Sequence, residues 1–246
     1  MGKWMAQLWA GSGLDVGEWQ ATLRRMLPPL LLDAGATQVR LNLPDAAVAA
    51  GEGLKQSSGG TLPDAFLQLW GDVGQWSDGG LLGSLLGAML GGQCVRWAGW
   101  QVEERVVMDD GARRSAVGER SEGWAQMAVL RRPPDMAYAD WLEAWQGRHT
   151  AVAVETQSTF GYVQNRVTGH WPGAADDIVA IVEECFPMAA LTDPLVFFAA
   201  EGEPDRFRAN LARMMESCHR FIVPGTIDVM PTSQYEWAAS YNSRND

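Results

Sequence analysis

The chain has 246 residues, of which 47% are hydrophobic, and its formal net charge at neutral pH is −11. This length is enough for one large domain or two small ones with a real hydrophobic core, and the composition excludes a disordered chain. The negative charge disfavours nucleic acid and anionic membrane surfaces as partners, because both present phosphate groups.

The cysteines, Cys94, Cys185 and Cys218, lie far apart in the sequence and form no CxxC pair. This spacing argues against a disulfide framework and against a structural zinc site. No secretory leader is visible after Met1, so we expect a cytoplasmic protein. The apolar run 79–92 has glycine at every fourth position but is too short to span a bilayer, so it predicts a packed helix.

Strands and helices are predicted in the same order in two successive stretches of the chain. In the first stretch the expected strands are 4–10, 37–43, 64–70 and 94–108, with helices around Trp19 and at 79–90. In the second stretch the expected strands are 124–130, 160–167, 177–184 and 226–237, with helices after an N-cap at Asp135 and at 204–217. The order βαββαβ is typical of a ferredoxin-like unit, an antiparallel sheet with two helices on one face.

An internal repeat supports this division. Residues 8–27 overlay on 130–149 without a gap, so that Leu8 falls on Leu130 and Trp19 on Trp141. We therefore predict an α+β chain of two ferredoxin-like βαββαβ units, residues 1–110 and 124–246, joined by a polar linker, 111–123. Because bare sheet faces must be buried, the two sheets are expected to pack into a barrel, a pseudo-dimer within one chain, with a cavity between them.

The sequence LRRPPDMAYADWLEAWQGRHTAV (130–152) resembles the signature of EthD-domain proteins. FGYVQN (160–165) resembles the tyrosine-bearing strand of that family, and 206–237 is similar to its C-terminal helix and strand. The first half resembles a degenerate copy, in which Leu23 and Leu27 stand at the positions of Trp145 and His149. The resemblance implies the dimeric α/β barrel fold, here formed within a single chain.

The resemblance also implies a range of chemistries, since that group includes cofactor-free cyclases, monooxygenases, isomerases and lyases, and also haem enzymes. The leading expectation is an enzyme without metal or organic cofactor that acts on a hydrophobic, aromatic or polyketide-like small molecule. Its reaction would be proton transfer, as in a cyclase, isomerase, lyase or dehydratase. The alternatives are a haem-binding oxidoreductase with an axial histidine and a non-catalytic small-molecule-binding protein. The formation of a homodimer is left open.

His149 is the leading candidate for acid–base chemistry. We expect it at the C-terminal end of its helix, where the helix dipole favours the protonated imidazole, and a pKa near neutrality suits proton transfer. The competing interpretation is that Trp141, Trp145 and His149 form a helix stripe packed on the sheet. In the enzyme interpretation the two tryptophans form walls of the substrate pocket.

Tyr162 and Asn165 are candidates for polarising a substrate carbonyl. Because strand side chains alternate, they point to opposite faces. Arg40 and Asn42 share a face, which we expect to line the cavity together with Asn165. Tyr162 is then expected under the helix near His149, and the family motif keeps it as a catalytic candidate.

His170 and Trp171 are expected in a loop at the barrel mouth, where they would contact substrate. Adjacent acidic pairs such as Glu183-Glu184 diverge on any regular element, so they predict no paired-carboxylate site. No metal site is predicted, because the three histidines are dispersed and no HExxH motif occurs.

Overall fold

The computed structural model describes residues 2–76, 78–90, 94–113 and 115–239. The end of the predicted helical run at 91–92, residue 114 of the predicted linker, and the outer ends of both predicted units lie outside the described residues. Among the described residues, no helix combines the length and apolar character that crossing a bilayer requires.

The described strands close into one antiparallel barrel. They are β1 (Gly2–Ala10), β2 (Gln38–Leu43), β3 (Ala65–Gly71), β4 (Cys94–Met108), β5 (Trp124–Arg131), β6 (Gly161–His170), β7 (Ile178–Phe186) and β8 (Asp228–Ala238). Their order around the barrel is β1-β3-β2-β8-β5-β7-β6-β4, and β4 pairs with β1 to close it. All eight strands were predicted from the sequence to within a few residues, because short runs rich in apolar residues mark them.

Helices cover the outside of the barrel. They are α1 (Val16–Asp33), α2 (Val73–Trp76), α3 (Gly80–Leu90), α4 (Tyr138–Leu142), α5 (Thr150–Thr156), α6 (Pro194–Phe197) and α7 (Pro204–Cys218). Asp15 caps α1 by accepting a hydrogen bond from the Glu18 backbone. The predicted cap at Asp135 is wrong, because α4 begins at Tyr138 and Ala137 at its N-cap provides no side-chain hydrogen bond.

The helix that carries His149 is longer than predicted. A π-helical segment, Glu143–His149, joins α4 to α5 in one continuous helix that ends at Thr156. The prediction that the helix ends at His149 is therefore wrong, and the dipole argument for a protonated imidazole does not apply there. A π-helical insertion of this kind widens the turn and is frequent at functional sites.

The architecture is α+β with a closed eight-stranded barrel. Around the barrel, the four strands before residue 110 are neighbours, in the order β4-β1-β3-β2, and so are the four later ones, in the order β8-β5-β7-β6. The interpretation as two ferredoxin-like units, with its boundaries at residues 110 and 124, stays a prediction.

The barrel interior is filled with side chains. An apolar cluster that includes Met5, Phe66, Trp100, Met127 and Ile181 occupies it, and a buried polar network lies beside this cluster. The predicted cavity between the two sheets is reduced to a smaller space of about 260 Å³, lined by Gln7 and Trp100 of the first half and Ile178 of the second, and a larger cavity lies outside the barrel wall.

Candidate functional site

A cavity of about 530 Å³ lies between the outer face of the barrel and the helices of the second half. Its sheet side is formed by β5, β6, β7 and β8, and its helix side by the π-helical segment and α7. Its walls are mainly apolar and aromatic, as in most small-molecule sites. They include Leu130, Trp145, Val182, Phe197, Phe198, Met214 and Phe221.

Three polar side chains form a row across the sheet at the floor of the cavity. Gln126 on β5 pairs with Glu184 on β7, and Glu184 pairs in turn with Tyr162 on β6. Directly paired residues on antiparallel strands project to the same face. The row therefore places an amide, a carboxyl group and a phenol side by side in an apolar cavity.

Glu184 is buried and has no cationic partner among the residues described around it. The Gln126 Nε2 donates a hydrogen bond to its Oε2 at 3.1 Å, and the described lining of the cavity includes no lysine or arginine. Burial raises the pKa of this carboxyl group to about 7, an effect that the Gln126 hydrogen bond only partly opposes. Near neutral pH, Glu184 is thus populated in both its acidic and its basic form.

His149 faces the same cavity from the helix side. Its Nδ1 lies 3.0 Å from the Ser217 Oγ on α7, and its ring lies 4.8 Å from the Phe221 ring. Burial lowers the pKa of His149 to about 4, so the imidazole is neutral at physiological pH. This is opposite to the protonated state expected from the sequence, because the ring sits inside the helix wall rather than at a helix end.

Tyr162 lies under the helix, and its ring lines the cavity. Its Oη accepts a hydrogen bond from the Gln164 Nε2 at 2.8 Å. Burial, together with the nearby charge of Glu184, raises the pKa of the phenol above its usual range. Tyr162 therefore acts as a neutral hydrogen-bonding group at physiological pH.

The two helix tryptophans have different positions. Trp145 lines the cavity, whereas Trp141 lies behind it, with its ring centroid 4.9 Å from that of Trp145. The Trp141 Nε1 donates to the Phe221 backbone carbonyl at 3.2 Å. Trp141 thus supports the wall, and only Trp145 of the pair is placed to touch a ligand.

Arg40 and Asn42 lie inside the barrel and are absent from the lining of the cavity. The Arg40 Nη1 and the Asn42 Nδ2 both bind the Glu183 carboxylate, at 2.5 and 2.7 Å. Burial opposes ionisation of Glu183, but Arg40 and Lys3 more than offset it, and the pKa is lowered to about 2. Both residues are therefore committed to a buried ion-pair network outside this cavity, and their contact with a substrate stays a prediction.

Asn165, His170 and Trp171 are also outside the cavity. Asn165 is fully buried, and its Nδ2 donates to the Ile181 carbonyl at 3.0 Å. His170 ends β6 and is exposed, so its predicted place in a loop is wrong. Trp171 is buried, its ring 5.4 Å from that of Trp97, and donates to the Trp76 carbonyl. None of the three lines the cavity that His149 and Tyr162 share.

Glu184 is the residue that sequence reasoning missed. Adjacent strand residues diverge, and Glu183 and Glu184 do diverge, one into the barrel and one into the cavity. The alternation along β7 carried the signal, since Ala180, Val182 and Glu184 share the face that the helices cover. A carboxyl group at a covered apolar position is rare unless it is paired.

Cys218 lines the cavity without a nucleophilic character. Burial, together with the charge of Glu184, raises the pKa of its thiol to about 12. Since the thiolate is the nucleophilic form, this residue contributes apolar wall.

Comparison with known proteins informs the fold. No protein-family model matches the chain, and no curated protein is significantly similar to it. An anthrone oxidase-like protein of known structure is 11% identical, with a TM-score of 0.59 over 97% of this chain and 93% of that chain. At this identity the likeness concerns the fold alone.

Two other solved structures superpose less well. A mutant chlorite dismutase from Candidatus Nitrospira defluvii is 11% identical, with a TM-score of 0.48 over 94% of this chain and 90% of that chain. A dye-decolorizing peroxidase from Bacteroides thetaiotaomicron is 12% identical, with a TM-score of 0.41 over 94% and 93%. The EthD resemblance and the tandem repeat are not confirmed by these comparisons.

Proposed function

We propose that this protein binds a hydrophobic, aromatic or polyketide-like small molecule in the cavity and catalyses proton transfer on it, without a metal or organic cofactor. The observation that carries the proposal is Glu184, a buried carboxyl group with a pKa of about 7 and no cation in the described lining beside it. A structural carboxylate is normally paired when it is buried. An unpaired one that faces a cavity fits an acid–base role.

In this proposal Glu184 removes a proton from a carbon next to a substrate carbonyl and later returns it. Tyr162 donates a hydrogen bond to the carbonyl oxygen, where negative charge develops. Neutral His149, held by Ser217, exchanges a proton with a second polar group of the substrate. Cyclisation, isomerisation and dehydration or lyase chemistry all use this step.

The proposal includes the finer interpretation of the fold as an EthD-like tandem repeat of two ferredoxin-like units. The strand order and the pairing of the two halves support it. In this interpretation the site belongs mainly to the second unit, residues 124–246, and the first unit adds Gly53, Leu54 and Gln56 to the cavity wall. The expectations of a cytoplasmic location, of no nucleic-acid or membrane partner, and of an optional homodimer remain predictions from the sequence.

The haem alternative fits the cavity poorly. A neutral histidine oriented by a serine is a suitable axial ligand, and His149 has this form. Haem also carries two carboxylate side chains, and the described lining includes Glu184 but no arginine or lysine to pair with them. Haem therefore has no role in the proposed reaction. The third candidate, a binding protein without catalysis, is an outcome of the experiment below.

The experiment uses 1-tetralone, an aromatic ketone with exchangeable α-hydrogens, in deuterated buffer. Proton NMR measures the exchange rate and, by line broadening, binding. We expect the wild type to accelerate exchange, with a rate that rises to a plateau above about pH 7, because the carboxylate is the base. Glu184→Gln is expected to lower the rate about 100-fold or more. The control is Glu155→Gln, an exposed carboxylate on α5.

Binding of tetralone without accelerated exchange would overturn the catalytic proposal and favour the binding protein. An equal rate in Glu184→Gln and the wild type would overturn the role of Glu184. A strong visible absorption band on addition of hemin, lost in His149→Leu, would favour the haem alternative.

A further inference from the structure

Gln164, on β6 two residues after Tyr162, is fully buried and belongs to none of the predicted site residues. It does not line the cavity. Its side chain has three polar partners, Arg105, Thr150 and Tyr162. Tyr162 lines the cavity, and the donor and acceptor role of each contact can be assigned.

Arg105 fixes the orientation of the Gln164 amide. The Arg105 Nη1 donates to the Gln164 Oε1 at 3.4 Å and to the Gln146 carbonyl at 3.2 Å. A guanidinium group can only donate, so the amide oxygen must face Arg105. The amide nitrogen must then face the other way, towards Tyr162 and Thr150.

The amide nitrogen has two hydrogens, and both are used. One is donated to the Tyr162 Oη at 2.8 Å and the other to the Thr150 Oγ1 at 2.9 Å. The Thr150 hydroxyl in turn donates to the backbone carbonyls of Gln146 and Trp145, at 3.0 and 3.3 Å. Both carbonyls belong to the π-helical segment, so this segment holds the Thr150 hydroxyl in place. The chain of hydrogen bonds from this segment through Thr150 and Gln164 to Tyr162 is called the relay below.

The phenol of Tyr162 is thereby oriented. Its oxygen accepts from Gln164, and the Thr150 hydroxyl, which also interacts with the phenol, is already occupied by accepting from Gln164 and donating to the Gln146 carbonyl. The ring lines the cavity, so the hydrogen is available to an acceptor in the cavity. Accepting one hydrogen bond also strengthens a hydroxyl group as a donor.

We infer that Gln164 is a positioning residue, which holds the Tyr162 hydroxyl as a hydrogen-bond donor to an acceptor atom of the ligand. This inference rests on the proposed function in one respect, namely that the ligand enters this cavity. It selects ligands with a carbonyl-type acceptor over hydrocarbons of the same shape. In the first half of the chain Leu41, paired with Leu67, is buried against the helices and forms no such relay.

The decisive variant is Gln164→Glu, which preserves volume and the contact with Arg105 but cannot donate to Tyr162 when ionised. The phenol is then expected to donate to the introduced carboxylate instead of to the ligand. Gln20→Glu is the matched control, since Gln20 is a buried glutamine of the first half that donates to the Asp64 carbonyl.

The binding readout compares 1-acetonaphthone with 1-ethylnaphthalene by titration of tryptophan fluorescence. We expect the wild type to prefer the ketone, and Tyr162→Phe and Gln164→Glu each to lose about five-fold of that preference. Affinity for the hydrocarbon should stay unchanged. The infrared carbonyl band of the bound ketone should lie at lower wavenumber in the wild type than in either variant. A Gln164→Glu variant that keeps both the preference and the band position would overturn the inference.

A second readout needs no ligand. The chain has four tyrosines, so ¹³Cζ-tyrosine NMR resolves them, and Tyr162→Phe assigns the relevant resonance. Donation to a carboxylate should move that resonance downfield in Gln164→Glu but not in Gln20→Glu. An unmoved resonance would overturn the positioning role. If neither naphthalene probe binds the wild type, the proposed function fails, and the NMR result still decides the role of Gln164.

Discussion

The two halves of the barrel wall present matching rows of paired residues to their covering helices, with opposite chemistry. In the second half the row is Gln126, Glu184 and Tyr162, and in the first half the row across β1, β3 and β2 is Trp4, Leu69 and Val39. All three residues of the first-half row are buried in one apolar cluster that also contains Leu27 of α1. The second-half row borders a cavity of about 530 Å³.

The apolar row of the first half serves packing, whereas the polar row of the second half fits a functional site. An apolar row closes the space between sheet and helix, as folding alone requires. The polar row leaves that space open and retains an unpaired carboxyl group that costs stability. Departures from good packing and from charge pairing are expected at functional sites, and the open cavity and the carboxyl group without a cationic partner both lie in the second-half row.

The largest expected effect comes from moving the carboxyl group into the first-half row. Leu69→Glu would bury a charge in a filled cluster without a cavity or a donor, so we expect a loss of about 4 kcal/mol or more in the free energy of unfolding. Urea denaturation followed by circular dichroism measures it. Leu69→Met, which conserves volume, should cost less than about 1.5 kcal/mol. A stable Leu69→Glu protein would mean that the two rows are interchangeable.

Removal of Arg40, the ion-pair partner of Glu183, is expected to have the next largest effect on the free energy of unfolding. Arg40→Met would leave Glu183 buried and unpaired inside the barrel, at an expected cost of about 3–5 kcal/mol. The double variant Arg40→Met/Glu183→Leu should recover part of this loss in the same denaturation experiment. No recovery would show that Arg40 stabilises the barrel through its other partner, Glu236.

Glu184→Gln is expected to stabilise the protein in a pH-dependent way. The pKa of Glu184 is raised to about 7 in the folded state from 4.5, so between these values the folded state binds more protons than the unfolded state. Wild-type stability must therefore fall as pH rises from about 4.5 to 7, by about 3 kcal/mol. Stability curves at pH 5 and pH 8 should show this fall in the wild type but not in Glu184→Gln. Parallel pH dependences would mean that Glu184 is paired or solvated.

His149→Leu introduces at position 149 the residue type of Leu27, its counterpart in the first half. It is expected to have the smallest effect on stability. The pKa of His149 is lowered from 6.5 to about 4 in the folded state, so the unfolded state binds more protons between these values. Stability is then lost as pH falls, by about 1 kcal/mol between pH 8 and pH 6. Difference stability curves of His149→Leu against the wild type should isolate this component. A component of the opposite sign would mean that the folded state favours the imidazolium ion.

The sequence was sufficient for the strands and for their faces. Alternation along β2 and β6 placed Asn42 and Asn165 on one face and Tyr162 on the other, as the structure has them. It could not predict that the interior is filled, because alternation shows which residues share a face and not how much volume they occupy. The π-helical segment was also unpredictable. TAVAVET (150–156) is rich in β-branched residues, which weaken the helical signal, so the sequence predicts a helix that stops at His149.

Glu183 and Glu184 are neighbours in the chain, yet each is committed to a different compartment of the molecule. A slip of β7 by one residue would carry Glu184 to Arg40 and turn Glu183 out under the helices, while exchanging every other side chain of the strand as well. Substitutions can therefore remodel either compartment alone, whereas an insertion or deletion in this strand would damage both at once. We therefore expect β7 to tolerate amino-acid substitutions better than insertions or deletions.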